Sequence, residues 1–413
     1  MPQINKSTKL DGVLYDVRGP VVDEAAAMKK RGEEIIHLNI GNPAPFGFRA
    51  PETMIDHMIE QLPHTQGYSE SHGIVDAREA IAEYATRKGI EDVKIDDIYT
   101  GNGVSELINL CMQALLDEGD EMLIPAPDYP LWTATTKLAG GTPVHYLCDE
   151  DNNWWPDIAD IKNKITSRTK GLVVINPNNP TGALYPKEIL EQMVEIAREH
   201  NLIIFSDEIY DRMVFDGKKH IAIASLAPDV LCITFNGLSK SHRVAGYRSG
   251  WMIISGDKES ASGRRGYLEG IDMLSNMRLC ANVPGQSIIA TALSGHQSLD
   301  DLIVPGGRIF EQREKAMSII EDIEGLSAIR PAAGLYVFPR LDIERFSITD
   351  DEQFAYDFLK AENVLIVHGR GFNWPTPEYF RIVFLPETDQ LGEVGVRLKR
   401  FLADYRQNEV KDA

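Results

Sequence analysis

The chain has 413 residues, enough for two domains or for one large α/β domain with a smaller lobe, so a mini-protein scaffold is excluded. Hydrophobic residues at 43% and charged residues at 25% match soluble globular proteins and argue against disorder. The balance of 42 Lys plus Arg against 62 Asp plus Glu gives a formal charge of -20, which repels a polyphosphate backbone and excludes nucleic acid as a partner.

In chain order, the N-terminal stretch MPQINKSTKL is polar and lacks the apolar core of a signal peptide. No later apolar run reaches the ~18 residues of a membrane span, so a cytoplasmic protein without a membrane partner is expected. Short apolar runs bounded by turn residues predict buried strands at Glu121–Pro125, Pro143–Leu147, Gly171–Asn176, Leu202–Ser206, Val230–Phe235 and Gly250–Ile254. Between them, Lys187–His200 predicts a helix with Ile189, Leu190, Met193, Val194 and Ala197 on one face and a proline just before its start. Strands alternating with helices imply a largely parallel sheet covered on both faces. After about residue 300 the pattern changes. Arg308–Ile323 predicts a helix, Gly334–Pro339, Val364–Val367 and Tyr379–Leu385 predict strands, and Val394–Tyr405 a closing helix. The expected organisation is an N-terminal segment, 1–45, joining a small α+β domain at 301–413, with a large α/β domain at 46–300.

The four cysteines, Cys111, Cys148, Cys232 and Cys280, are widely separated and form no CxxC pair, which fits free thiols in a reducing compartment. Ten histidines are scattered without HExxH or ligand spacing, so no metal site is expected.

Ligands of open α/β sheets sit at the carboxyl ends of the strands. Three segments there can hold a charged cofactor: Asn176–Gly182 (NPNNPTG), Ser206–Tyr210 (SDEIY) and Asn236–Gly250 (NGLSKSHRVAGYRSG). Taken singly, the first fits a tight turn, Asp207 a helix cap and Lys240 a solvated lysine. Their order and spacing together carry the signal.

On these motifs the sequence resembles the fold-type I pyridoxal-phosphate-dependent aminotransferases. The resemblance rests on NPNNPTG, SDEIY, and SK followed eight residues after the lysine by Arg248 in GYRSGW, with FRI at Phe380–Ile382 near the C-terminus. Within the family it looks closest to the alanine (glutamate:pyruvate) aminotransferases, from YDVRGPVV, LNIGNPAPFGF, PAPDYPLW and FNGLSK. The resemblance implies a large domain with a mostly parallel mixed sheet covered by helices, plus a smaller α+β domain. It implies ping-pong exchange of the amino group between L-alanine and 2-oxoglutarate, or glutamate and pyruvate, through a Lys240 aldimine with pyridoxal 5′-phosphate. Aspartate or broader specificity, and a lyase on the same fold, remain open.

Lys240 is also the expected base, and Asp207 the partner of the pyridine nitrogen. Asn179 and Tyr210 are implied as donors to the ring's phenolic oxygen; ordinary packing at a helix start is the other reading of Tyr210. For the phosphate, Gly103, Val104 and Ser105 precede a helical stretch whose N–H groups can face an anion, and Arg248 adds a planar fork. Tyr68 matches the position that reaches the phosphate from a neighbouring subunit, implying a homodimer with active sites at the interface. Many relatives carry Ser or Thr three residues before the lysine, where this chain has Gly237, so Ser239 is the substitute donor. Tyr129 matches the ring that stacks on the cofactor, with a core tyrosine as the alternative. Arg381 matches the partner of the substrate's α-carboxylate, with Gly41 and Asn179 completing the clamp; a surface arginine on an edge strand is the alternative. Arg18, with Tyr15, is the candidate cation for the second carboxylate of glutamate.

Overall fold

In the computed structural model, which describes residues 4–10, 13 and 19–407, eight strands lie side by side in one sheet. Their order is Ile98–Asn102, Ser249–Ser255, Cys232–Gly237, Ile203–Asp207, Thr169–Ile175, Glu121–Ala126, Thr142–Asp149 and Trp155–Pro156. The central strands pair in parallel, while Ser249–Ser255 runs antiparallel to both of its neighbours and the two-residue edge strand closes antiparallel on Thr142–Asp149. The architecture is α/β with a mixed, mostly parallel sheet.

Alternation along each strand explains how one sheet supports two cores. Leu123, Leu172, Val174, Ile204, Cys232 and Ile253 share one core with Leu190, Met193, Val194 and Ala197 of the helix Lys187–His200. Met122, Ile124, Val173, Ile175, Phe205, Ile233 and Phe235 share the other with Leu107, Ile108 and Cys111 of the helix Val104–Leu115. Each such side chain contributes roughly 1.5–3 kcal/mol by leaving water, and a covered sheet buries both strand faces at once. Lys187–His200 has the predicted bounds, because its apolar stripe faces the sheet and Asn201, at φ 55°, turns the chain out of the helix. Cys111, Cys148 and Cys232 are buried free thiols.

The third core joins residues from both ends of the chain. Val21, Met28 and Leu38 pack with Met317, Ile320, Phe354, Phe358, Val394 and Leu398 from the helices Arg308–Glu321, Asp351–Glu362 and Thr388–Asp404. Ile36–His37 pairs in parallel with Val364–Leu365. The run predicted as one strand at 364–367 is two, because Val367–His368 pairs with Phe380–Arg381 in a different sheet and the chain changes partners at Ile366. Tyr336–Val337 completes that three-stranded sheet. The closing helix begins at Thr388, earlier than its apolar pattern predicts. Gly395 interrupts the pattern for a packing reason: a Cβ there would lie 2.8 Å from Ile319 of the facing helix.

Candidate active site

Strand ends deliver the side chains. Thr169–Ile175 runs into the NPNNPTG turn, where Asn178 Oδ1 accepts from Thr181 N at 3.2 Å and Thr181 Oγ1 at 2.8 Å, and Asn176 Oδ1 accepts from Tyr185 N at 3.0 Å. Asp207 ends the neighbouring strand, and Asn176 N donates to its carbonyl at 3.1 Å. Lys240 lies on the one-turn helix Leu238–Ser241 that follows Cys232–Gly237. The reversed direction of Ser249–Ser255 brings its first end, and with it Arg248, to the same edge.

A cavity of about 290 Å³ opens there, lined by Asp207, Tyr210, Asn179, Lys240, Arg248 and Tyr129, with Val104, Ser105 and Ser239 on its wall. Asp207 is buried; its Oδ2 accepts from Trp132 Nε1 at 3.3 Å and its Oδ1 from Ile209 N at 3.3 Å. Burial pushes the carboxyl up to about 6, against the pull of those donors and of Lys240. Tyr210 is also buried, its hydroxyl 2.6 Å from that of Tyr336, and burial, then Tyr336, holds it well above its ordinary value. Tyr210 sits in a turn beyond the strand, not at the start of a helix. Lys240 Nζ donates to Gly41 O at 2.5 Å. Gly103, at φ 76°, caps the helix Val104–Leu115, whose N-terminus has no side-chain cap. A Cβ on Gly103 would collide with the Arg248 guanidinium, so glycine lets that cation close over the helix end. An uncapped helix N-terminus closed over by an arginine, a buried carboxyl and an amine, all around one cavity, suit the phosphate, ring nitrogen and aldehyde of one cofactor.

A second cavity of about 330 Å³ shares Tyr129, Asn179, Lys240 and Tyr336 with the first and adds Gly41, Phe372 and Arg381. Arg381 is 6% exposed. Its Nη1 donates to Asn179 Oδ1 at 3.1 Å and its Nη2 to Asn39 O, while its Nε, buried, has no partner among the described residues. The rings of Tyr336 and Phe372 lie 4.5 and 4.7 Å from the guanidinium carbon. A buried cation with a donor to spare is suited to a carboxylate. The edge-strand alternative fails for this arginine, which stands on the middle strand of its sheet.

Several expected residues stand elsewhere. Tyr68 is 82% exposed and lies outside the residues lining either cavity. Tyr15 and Arg18 lie outside the described residues. At Gly237 a Cβ would stand 2.7 Å from Ser249 O and 3.0 Å from Gly250 Cα, so the close strand pair leaves no room for serine or threonine. Sequence reasoning missed Trp132 and Tyr336; Trp132 lies in the quoted PAPDYPLW, three residues after Tyr129, and that spacing was its available signal.

Residues 33–395 match the family described as aminotransferase class I and II. The chain belongs to that family. It is 56% identical to the glutamate-pyruvate aminotransferase AlaA of Haemophilus influenzae, covering 97% of this chain and 99% of that protein. It is 57% identical to an alanine aminotransferase of Mycobacterium bovis, covering 97% and 93%. A crystal structure of an aminotransferase from Escherichia coli superposes with a TM-score of 0.96 at 55% identity, covering 98% of this chain and 99% of that one. The protein is a pyridoxal-phosphate-dependent aminotransferase of fold type I.

Next to Asp207 along the chain and against the NPNNPTG turn, the aminotransferase buries a second set of titratable groups. Glu208, Asp211 and His220 bring ligand atoms within 4.8 Å of one another. The cation among them is an ammonium: Lys88 Nζ donates to Asp211 Oδ2 at 2.9 Å and to His220 Nδ1 at 2.7 Å. His220 therefore carries its proton on Nε2, which donates to Asn176 O at 3.1 Å, and burial keeps the ring neutral with its value lowered to about 3. Burial pushes Glu208 up to about 8. Asp211 is held below the ordinary carboxylate range: burial opposes this, and the Lys88 ammonium, with the hydrogen bond from the Tyr84 hydroxyl, outweighs it.

Proposed function

We propose that this aminotransferase exchanges the amino group between L-alanine and 2-oxoglutarate, or glutamate and pyruvate, in two half-reactions. The observation that carries the reading is the meeting of the Lys240 amine with the buried Asp207 carboxyl and the buried Arg381 guanidinium around two joined cavities. The choice of substrates is supported by the names of the relatives, glutamate-pyruvate and alanine aminotransferases at 56% and 57% identity.

Arg248 and the N–H groups of Val104 and Ser105 hold the cofactor's phosphate, with Ser239 beside them. Asp207 keeps a proton on the ring nitrogen. Asn179, whose Oδ1 is engaged by Arg381, turns its amide donors to the phenolic oxygen, joined there by the Tyr210 hydroxyl. Tyr129, which lines the same cavity, would pack against the ring. Bound pyridoxal phosphate supplies an electron sink for the charge left at the substrate's α-carbon. Lys240 Nζ would be the base that moves the substrate's α-proton, and Arg381, Asn179 and the Gly41 N–H would orient the α-carboxylate. Arg18, with Tyr15, holds the second carboxylate of glutamate and leaves alanine's methyl alone.

A homodimer in the cytoplasm belongs to the same reading, with Tyr68 reaching the partner's phosphate. Its 82% exposure, and its place outside the cavities of its own chain, support that role. No described helix is long and apolar enough to cross a membrane.

The test follows isotopically labelled nitrogen from glutamate into alanine in the presence of pyruvate. Transfer is expected, with a weak response to aspartate; aspartate reacting as well as alanine would overturn the substrate choice. Lys240→Ala is expected to abolish turnover while retaining cofactor through Arg248 and the helix end, and near-native turnover in that variant would reject the assignment of the base.

A further inference from the structure

Asp128, between the strand Glu121–Ala126 and the cavity-lining Tyr129, is fully buried, yet it touches neither cavity. Its contacts reach across to the segment that carries Phe372. Oδ1 accepts from Asn373 Nδ2 at 2.8 Å, Oδ2 accepts from Thr133 Oγ1 at 2.7 Å, and the Asp128 N–H donates to Phe372 O at 3.0 Å. Because the Thr133 hydroxyl spends its proton on Asp128, it accepts from His145 Nε2 at 2.8 Å. The far end of the same turn, Gly369–Phe372, is gripped by a second buried carboxylate: Asp351 Oδ2 accepts from Arg370 N at 2.7 Å and Oδ1 from Arg370 Nε at 2.5 Å. The turn thus hangs between two carboxylates, and the guanidinium carbon of Arg381 sits over the ring it carries, 4.7 Å from the ring centre.

An apolar ring on a four-residue turn has no polar anchor of its own. The plane of a guanidinium decides where its N–H groups point, so a ring that slips from its face loosens the grip on a carboxylate.

We propose that Asp128 is a positioning residue for the carboxylate clamp: through Asn373 it holds Phe372 against Arg381 and ties that wall to the turn bearing Tyr129. The proposal rests on the reading of Arg381 as the partner of the substrate's α-carboxylate. Every amino acid and oxo acid presents that group, so the strap governs affinity for all substrates alike and leaves the chemical step unchanged.

The test uses three variants of the holoenzyme. Asn373→Gly removes the amide while keeping the left-handed backbone, φ 57°, that asparagine adopts there. The exchange Asp128→Asn with Asn373→Asp reverses the donor and acceptor across the strap, so the amide introduced at position 128 donates to the carboxylate introduced at position 373, and its oxygen still accepts from Thr133. Arg381→Lys keeps charge and loses the planar fork.

Asn373→Gly is expected to raise KM for alanine and for 2-oxoglutarate by roughly tenfold, the effect of one charge-assisted hydrogen bond, with kcat within about twofold. Calorimetric titration with propionate, a carboxylate that cannot react, should show the same loss of affinity, while cofactor retention on dialysis stays native. The exchange should restore KM and propionate affinity to within about threefold of the native protein. Unchanged propionate affinity in Asn373→Gly, or an exchange as impaired as that variant, overturns the strap. If Arg381→Lys also leaves propionate affinity unchanged, the carboxylate reading falls and takes the strap with it; if it weakens binding while Asn373→Gly does not, the strap alone falls.

Discussion

Within the single carboxyl of Asp207, burial and hydrogen bonding pull in opposite directions. Burial raises it to about 6, and the Ile209 N–H, the Trp132 indole and Lys240 each draw it down. Removing a donor removes a downward pull, so Trp132→Phe raises the Asp207 value further. In the cofactor-free protein, carbon NMR of labelled aspartate should place its midpoint above that of the native chain. In the holoenzyme the more basic carboxylate would draw the shared proton toward itself and leave the ring nitrogen less protonated, so kcat should fall on the order of tenfold, the scale of one hydrogen bond to a charged group. An unchanged midpoint would mean that the 3.3 Å contact does not hold the carboxylate. Glu208, next along the chain, is raised to about 8 by burial from an ordinary 4.5. A carboxyl raised in the folded state contributes stability that is complete below its unfolded value and is lost as pH rises through the folded one. Glu208→Gln stays neutral throughout, so its Tm should exceed the native value near pH ~9 by more than it does near pH ~5. Equal Tm differences at the two pH values would refute the account.

At the scale of elements, legibility followed the length and regularity of the apolar pattern. Lys187–His200 was readable because five apolar residues fall on one face, and Glu121–Ala126 because it is buried on both. Ile98–Asn102 carries no such signal, since IYTGN offers a threonine, a glycine and an asparagine in place of an apolar run. The two-residue strands near the C-terminus are set by tertiary pairing, which no local period encodes. The cavity-lining Lys240, Asp207, Asn179, Tyr210, Arg248 and Arg381 stand on motifs that carry the resemblance, whereas Trp132 and Asp128, though inside PAPDYPLW, and Asn373 owe their roles to contacts across 75 and 245 positions of sequence. Gly237 shows a departure whose cause only the strand pair reveals. Gly237→Ser places a Cβ 2.7 Å from Ser249 O, so it should destabilise the fold by about 1–3 kcal/mol through overpacking, read as a lower Tm, and should not tighten cofactor binding. A serine variant with native Tm and slower cofactor loss would show that the strands yield and the hydroxyl reaches the phosphate.

For the whole molecule, assembly decides where Tyr68 does its work. One chain assembles the amine, the carboxyl, the arginine and the helix end around its cavities, but its Tyr68 stands outside them with 82% of its surface exposed. If the proposed homodimer forms, each site takes Lys240 from one chain and Tyr68 from the other. Two defective variants then complement each other in a fixed ratio. Lys240→Ala cannot turn over, and Tyr68→Ala retains its lysine but releases cofactor. In a mixed dimer one site inherits both defects and the other inherits neither. Random reassortment of equal amounts makes half the dimers mixed, so about a quarter of all sites should regain native turnover and native cofactor affinity. The measurement unfolds and refolds the two variants together, then titrates pyridoxal phosphate against activity at low cofactor concentration. A mixture no more active than the average of its separately refolded components would place Tyr68 with its own chain's site or with none.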